Sequence, residues 1–181
     1  MAKRVVVTGV GLVCPVGIGA EESWKAICAG QSGVTRITRF DPAHYETQIA
    51  AEVKGFKAED WMSKKEAKRF ELFISYAVAA TRMAVDDSKL QITEENGGRV
   101  GVITGCGLGG LRFMEDTILN IHKSGPKRVS PFFIPMMIGN MAPGMISILF
   151  GAKGPNLSLA TACAAGAHAV GDSFKIIQEG R

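Results

Sequence analysis

The sequence is poor in three features: long apolar runs, paired cysteines and aromatic residues. No apolar stretch reaches the ~18 residues of a membrane-spanning helix, so no membrane insertion is expected. The cysteines form no Cys-x-x-Cys pair, which argues against a zinc site and a disulfide framework and favours a reducing, cytoplasmic setting. No metal or cofactor is indicated. Aromatic residues make up 7%, whereas glycine accounts for 22 of 181 residues, which indicates tight turns and close backbone contacts. The four cysteines are Cys14, Cys28, Cys106 and Cys163.

The net charge of +4 is too small to indicate a nucleic-acid-binding protein. Its placement along the chain is uneven. One short segment, 64–69, and another, 123–128, each carry +3, which leaves −2 on the rest of the chain. The positive excess therefore lies in two patches, formed by Lys64, Lys65, Lys68 and Arg69 and by Lys123, Lys127 and Arg128.

Apolar patterning predicts strands that alternate with helices, which is typical of an α/β fold with a mostly parallel sheet. The length suits one domain. Ser63 and Glu66 form a candidate capping box at the start of a long helix that ends near Asp86. Gly30 is placed to cap the first helix. The predicted strands are 3–9, 48–53, 99–104 and 156–161, the predicted helices are 21–29, 63–86, 111–125, 140–150 and 163–179, and 129–135 is expected to be extended.

A glycine run follows the predicted strand 99–104. Gly105, Gly107 and Gly110 fit the G-x-G-x-x-G pattern of a dinucleotide site, which also needs an acidic residue about 20 positions further on. Residues 125–132 contain no acidic residue and include two prolines, which disfavour a central strand. Nucleotide binding is therefore disfavoured. The glycines instead allow the close passage of an acyl chain or form a closely packed turn, and the pattern does not decide between these two readings.

Cys163 lies where an apolar strand meets a helix and every neighbouring residue is small. Such a corner can present a nucleophile, and the N–H groups of the helix favour a thiolate and could hold an oxyanion. The alternative is a buried small residue packed against the sheet. Full ionisation of a thiol raises the reaction rate at most roughly 10- to 30-fold, whereas each oxyanion donor raises it by a factor of about 10² to 10³. Acyl transfer therefore needs further groups besides the thiol. His44 and His122 are expected at the surface, and His168 lies some 140° around the helix from Cys163.

The segment Thr161-Ala-Cys163-Ala-Ala-Gly-Ala-His168, preceded by Gly154-Pro-Asn-Leu-Ser, resembles the nucleophile motif of the β-ketoacyl-[acyl-carrier-protein] synthases. The resemblance covers the whole chain and is closest to the type II condensing enzymes of bacterial fatty acid synthesis. It implies a thiolase-like fold and a Cys163 that carries an acyl chain as a thioester before condensation with a malonyl group. It further implies that Leu108 gates the acyl pocket, that Phe133 and Ile134 line it, and that the Cys163 N–H forms half of an oxyanion hole.

The same resemblance implies an acidic acyl carrier protein as partner and a homodimer formed near the strand before Cys163. In the family a second half supplies two histidines, a lysine and the other oxyanion donor. Residues 1–181 therefore correspond to the N-terminal half, and we expect them to be poorly active alone. The alternative is a non-catalytic protein that binds acyl chains or carriers. The docking residues implied are Lys65, Lys68, Arg69, Lys127 and Arg128, for which ordinary solvated charge is the alternative.

Overall fold

The centre of the fold is a parallel pair of strands between helices. A computed structural model describes residues 3–180. The strands are β1 (Val13–Cys14), β2 (Gly17–Ile18), β3 (Val34–Arg36), β4 (Ile49–Ala51), β5 (Val102–Gly105) and β6 (Asn156–Leu159). The helices are α1 (Ala20–Cys28), α2 (Lys64–Ala67), α3 (Leu72–Ser88), α4 (Leu111–Ser124), α5 (Phe133–Met137), α6 (Met141–Phe150) and α7 (Ala165–Glu179). None of these helices is long and apolar enough to cross a membrane.

Strands β5 and β6 pair in parallel, with Val102 opposite Asn156 and Gly105 opposite Leu159. Helix α7 packs on this pair, and α6 packs on it as well and also contacts α3. The remaining strands form two small antiparallel hairpins, β1 with β2 and β3 with β4. The predicted α/β architecture is thus confirmed at the centre of the fold, where the two parallel strands both end next to the Cys163 corner.

The hydrophobic core lies where α3 meets α6. Ile74 and Val78 of α3 are 1% and 0% exposed, and they pack with Ala142 and Ile146 of α6. Full burial of an Ile or Val side chain stabilises a fold by about 1.5–3 kcal/mol. The core therefore fixes α6, and through α6 it supports the sheet on which the Cys163 corner is built.

The predicted capping box is present, but the helix it opens is short. The Ser63 hydroxyl accepts from the Glu66 N–H at 3.3 Å, and the Glu66 carboxylate accepts from the Ser63 N–H at 2.8 Å. These hydrogen bonds hold the pKa of Glu66 below its usual value. Helix α2 nevertheless ends at Ala67, and Glu71 starts α3 by accepting from the Phe73 N–H. The single helix predicted over 63–86 is therefore wrong, because Glu71 takes an extended conformation and caps a second helix.

The predicted strand 3–9 is also wrong, since the structure assigns no strand there. Gly9 and Gly11 instead lie so close to the backbone of α3 that neither has room for a methyl group, and the Val10 N–H donates to Asp87. Val7 is 82% exposed. Three valines favour a strand, but among the described residues this segment has no neighbouring strand with which to share hydrogen bonds.

The segment 129–135 is not fully extended as predicted, because α5 begins at Phe133. The Phe132 and Phe133 N–H groups donate to the side chain and the carbonyl of Ser130, which turns the chain into the helix. Pro135 does not prevent this, because a proline is tolerated in the first turn, where its missing N–H would have no helical acceptor.

Candidate active site

The corner between β6 and α7 places Cys163 in a tight 3₁₀ turn, Ala162–Ala164, rather than at the first residue of the helix. Ala162 has a φ of +50°, in the left-handed region that L-residues rarely adopt. For alanine this conformation costs roughly 1–2 kcal/mol. Such strained residues cluster at functional sites, where surrounding contacts hold them in place. The strain therefore supports the assignment of this corner as a functional site.

The Cys163 side chain is exposed and its thiol is free. The alternative of a buried residue packed against the sheet is therefore not what the structure contains. Within residues 3–180 the Cys163 N–H is paired with no backbone acceptor, although the Ala164 N–H donates to the Thr161 carbonyl at 3.1 Å. The corner thus offers, on one residue, the thiol and one of the N–H donors that a tetrahedral acyl intermediate requires.

The imidazole of His168 contacts Thr161 rather than the thiol. The Thr161 Oγ1 and His168 Nδ1 atoms lie 2.7 Å apart. The predicted angle of some 140° around one helix does not apply, because Cys163 lies in the 3₁₀ turn before α7. The pairing itself was not predicted, because it depends on the path of the turn between the two residues. The only sequence signal for it is a polar residue on each side of an otherwise apolar, small-residue corner.

The glycine run packs against two other segments. A Cβ at Gly105 would lie closer than 3.0 Å to the backbone of Ala165 and Gly166, just after Cys163. A Cβ at Gly110 would overlap the backbone of 136–137, and the Gly110 N–H donates to the Met137 carbonyl at 2.8 Å. Gly105 and Gly110 therefore belong to a closely packed turn. At Gly107, the position that a pyrophosphate would approach, a Cβ would lie 3.6 Å from the backbone of Ala162.

The three residues implied as the acyl pocket lie near one end of this run. Leu108 is 78% exposed and Ile134 is 53% exposed, whereas Phe133 is half-buried with its ring 6.1 Å from that of Phe113. The contacts of Gly110 with 136–137 place Leu108 beside the C-terminal end of α5. The structure therefore places Leu108 near one end of α5 and Phe133 and Ile134 at its other end, and their role as an acyl pocket stays a prediction.

A groove of about 390 Å³ lies beside α5, and we call it the basic groove. Lys65 and Arg69 are on one wall, and the Arg69 guanidinium lies 4.7 Å from the centre of the Phe132 ring. Of the predicted docking residues, Lys68, Lys127 and Arg128 are exposed but do not line it. The groove thus joins one basic patch to the segment that precedes α5. Its lining residues are Ser63, Lys65, Glu66, Arg69, Phe70, Phe132, Pro135, Met141 and Met145.

A parallel strand pair that delivers a free cysteine to the start of a helix, beside a glycine-packed turn, is an arrangement suited to acyl transfer through a thioester. The solved structure of the ishigamide ketosynthase/chain length factor has a similar fold, with a TM-score of 0.83 and 30% sequence identity. The similarity covers 99% of this chain and 45% of that chain. The fold is therefore the thiolase-like fold of the ketosynthases, as the sequence motifs implied.

Residues 2–181 match the family model described as "Beta-ketoacyl synthase, N-terminal domain". The chain therefore belongs to the β-ketoacyl synthase family. It is 47% identical to 3-oxoacyl-[acyl-carrier-protein] synthase 2 of Vibrio cholerae and 46% identical to that of Synechocystis, over 178 residues in each case. Each match covers 98% of this chain but 43% of the relative, so the chain spans less than half the length of these synthases.

Proposed function

We propose that this chain is the nucleophile-bearing half of an enzyme that extends acyl chains on a carrier protein. The Cys163 thiolate attacks an acyl thioester, which forms an acyl–Cys163 thioester and releases the carrier thiol. Malonyl carrier then loses carbon dioxide, and the resulting carbanion attacks the Cys163 thioester carbonyl. A carbon–carbon bond forms as the carbon–sulfur bond breaks, so the product is a β-ketoacyl carrier and the Cys163 thiolate is restored.

The observation that carries this proposal is the exposed, free Cys163 beside a left-handed Ala162, with its own N–H unpaired by the described backbone. Membership of the β-ketoacyl synthase family supports it, as do the names of the relatives, which specify an acyl carrier protein. A cytoplasmic setting fits the four free cysteines. A homodimer is proposed at β6, which pairs only with β5 among the described residues and leaves its other edge open.

The test is acylation of the full-length protein by acyl carrier, read by peptide mass. Acyl mass should appear on Cys163, and a Cys163→Ser variant should lose both this mass and condensation. Cys28→Ser removes another exposed cysteine and serves as the matched control, with acylation and condensation unchanged. Condensation that continues after complete alkylation of Cys163 would refute the assignment of Cys163 as the nucleophile. Carrier binding without acylation would support the non-catalytic alternative.

We also propose that the basic groove, together with the exposed Lys68 outside it, docks the carrier. Complementary charge speeds the encounter of two proteins more than it tightens their complex. Reversal of Lys65, Lys68 and Arg69 to Glu should therefore slow transfer from the carrier about tenfold at low salt, with less effect at high salt. Lys54→Glu changes an exposed lysine outside both patches and should leave the rate unchanged. An unaltered rate in the triple variant would exclude this docking role.

The same measurement can be made on the second basic patch separately. Lys127 and Arg128 lie in the 3₁₀ turn that follows α4 and do not line the basic groove. We propose that they extend the docking surface towards the carrier. Their reversal to Glu should then slow transfer with the same salt dependence. An unchanged rate would show that Lys127 and Arg128 do not take part in docking, which would leave the patch at 64–69 as the docking surface.

A further inference from the structure

A side-chain hydrogen bond spans the corner that contains Cys163. Thr161 precedes the 3₁₀ turn and His168 lies in the first turn of α7, and their Oγ1 and Nδ1 atoms are 2.7 Å apart. The threonine hydroxyl can donate or accept, so either neutral imidazole tautomer supports this bond. The bond therefore fixes the end of the strand relative to the start of the helix, with Cys163 between the two anchors.

The Thr161 hydroxyl has no other structural task at this position. A threonine at the start of a helical turn usually caps it by accepting from an N–H two or three residues further on. Thr161 stands at that position but makes no such side-chain bond to the turn, and Ala164 cannot cap α7 with its methyl group. The hydroxyl is instead turned towards His168, so capping does not account for it.

The strained backbone at Ala162 needs contacts that hold it. Ala162 has no polar side chain with which to stabilise its φ of +50°. The carbonyl of Thr161 accepts from the Ala164 N–H, and its side chain is held by His168, so Thr161 is fixed through both its backbone and its side chain. A fixed Thr161 leaves Ala162 little freedom to return to an unstrained conformation, which would turn the Cys163 N–H and thiol elsewhere.

We propose that Thr161 and His168 are positioning residues, whose hydrogen bond holds the Cys163 thiol and N–H in the orientation that reacts. This inference rests on the proposed function, in which Cys163 is the nucleophile. Among residues 3–180, neither side chain has a hydrogen bond to the thiol, so both act through the backbone of the turn. The hydrogen bond, rather than the identity of either side chain, is what the orientation requires.

The test compares paired variants of the full-length protein. Thr161→Val keeps the shape but loses the hydroxyl, and Thr161→Ser keeps the hydroxyl. His168→Leu removes the ring nitrogen, and His168→Asn places an amide atom where Nδ1 stands. Alkylation by iodoacetamide is followed at Cys163 and, in the same sample, at the exposed Cys28, which serves as an internal control.

Loss of the bond should lower the Cys163 alkylation rate relative to Cys28 about fivefold to tenfold, in line with the net contribution of one hydrogen bond. The condensation kcat should fall at least as much while KM stays constant. The hydroxyl-bearing and amide-bearing variants should stay within about twofold of the parent on both measures. Circular dichroism and the melting temperature identify any variant that has not folded. If the variants at one of the two residues do not fold, the pair of variants at the other residue tests the proposal.

The proposal is overturned if folded Thr161→Val or His168→Leu protein keeps the parent alkylation ratio and kcat. It is also overturned if Thr161→Ser is as impaired as Thr161→Val, because the loss would then follow from shape. Cys163→Ser separates this proposal from the proposed function. If that variant still condenses acyl chains, the proposed function fails, while the alkylation ratio continues to report whether the hydrogen bond orients the thiol.

Discussion

Gly105 lies at the closest contact between the sheet and the nucleophile corner, and its replacement by alanine tests how tightly the two are joined. A Cβ at this position would lie closer than 3.0 Å to the backbone of Ala165 and Gly166. Backbone atoms cannot rotate away as a flexible side chain can. The strand β5 must therefore move away from the first turn of α7 if the methyl group is to fit.

The cost follows from this geometry. Overpacking a well-packed core costs typically 1–3 kcal/mol, and contacts with backbone place Gly105→Ala in the upper part of that range. About 2–3 kcal/mol corresponds to a fall in melting temperature of roughly 4–12 °C for a chain of this size. The Cys163 alkylation rate should change as well, because the first turn of α7 follows Cys163 directly.

Gly171→Ala is the matched control within the same helix. A Cβ at Gly171 would meet no atom within 4 Å, so the methyl group has room. Alanine in a helix interior is more stable than glycine by roughly 0.5–1 kcal/mol, and the control should melt slightly higher than the parent. Scanning calorimetry measures both variants. A Gly105→Ala protein that melts at or above the parent temperature would refute the close packing inferred between β5 and α7.

Three further outcomes are expected. The Ser63 hydrogen bonds lower the pKa of Glu66, so the stability they give is present above the ordinary carboxyl pKa and is lost as pH falls through the lowered native value. In urea unfolding, the free energies of unfolding of Glu66→Gln and the parent should therefore become equal at acidic pH. A difference between them that stays constant with pH would contradict this. Ile74→Ala should cost about 2–5 kcal/mol in the same urea assay, with an exposed Ile134→Ala as the control that changes stability little. Leu108→Ala should alter the acyl chain length preferred by the full-length enzyme without changing its melting temperature, and an unchanged product distribution would remove Leu108 from the gate.

The sequence was sufficient to locate the Cys163 corner, because small residues on both sides of a cysteine between a strand and a helix leave few other local structures. It could not predict the left-handed Ala162, since alanine carries no preference for positive φ and the conformation is imposed by the surrounding turn. The Thr161–His168 hydrogen bond was not predicted either, because it depends on the path of the turn between the two residues. Both features depend on how the turn runs in space rather than on the residue types themselves.

The errors in secondary structure also have tertiary causes. The apolar residues Phe70, Phe73 and Ile74 keep a helical spacing across the break, so the pattern cannot reveal that Glu71 leaves the helical conformation and caps a second helix. The valines near the N-terminus have strand propensity, but a strand exists only with a neighbour, and the glycines in this segment pack on α3 instead. The helix α5 was obscured by Pro135, although a proline in a first turn is compatible with a helix.

The crowded glycines of the run limit how the specificity of this scaffold can be redesigned. Gly105, Gly109 and Gly110 each have backbone closer than 3.0 Å to where a Cβ would stand, so substitutions at these positions should destabilise the fold. Leu108 points its side chain outward within the same run and can change size without forcing the backbone apart. A mutagenesis library for acyl selectivity should therefore vary Leu108 and the exposed face of α5 and leave its glycine neighbours untouched.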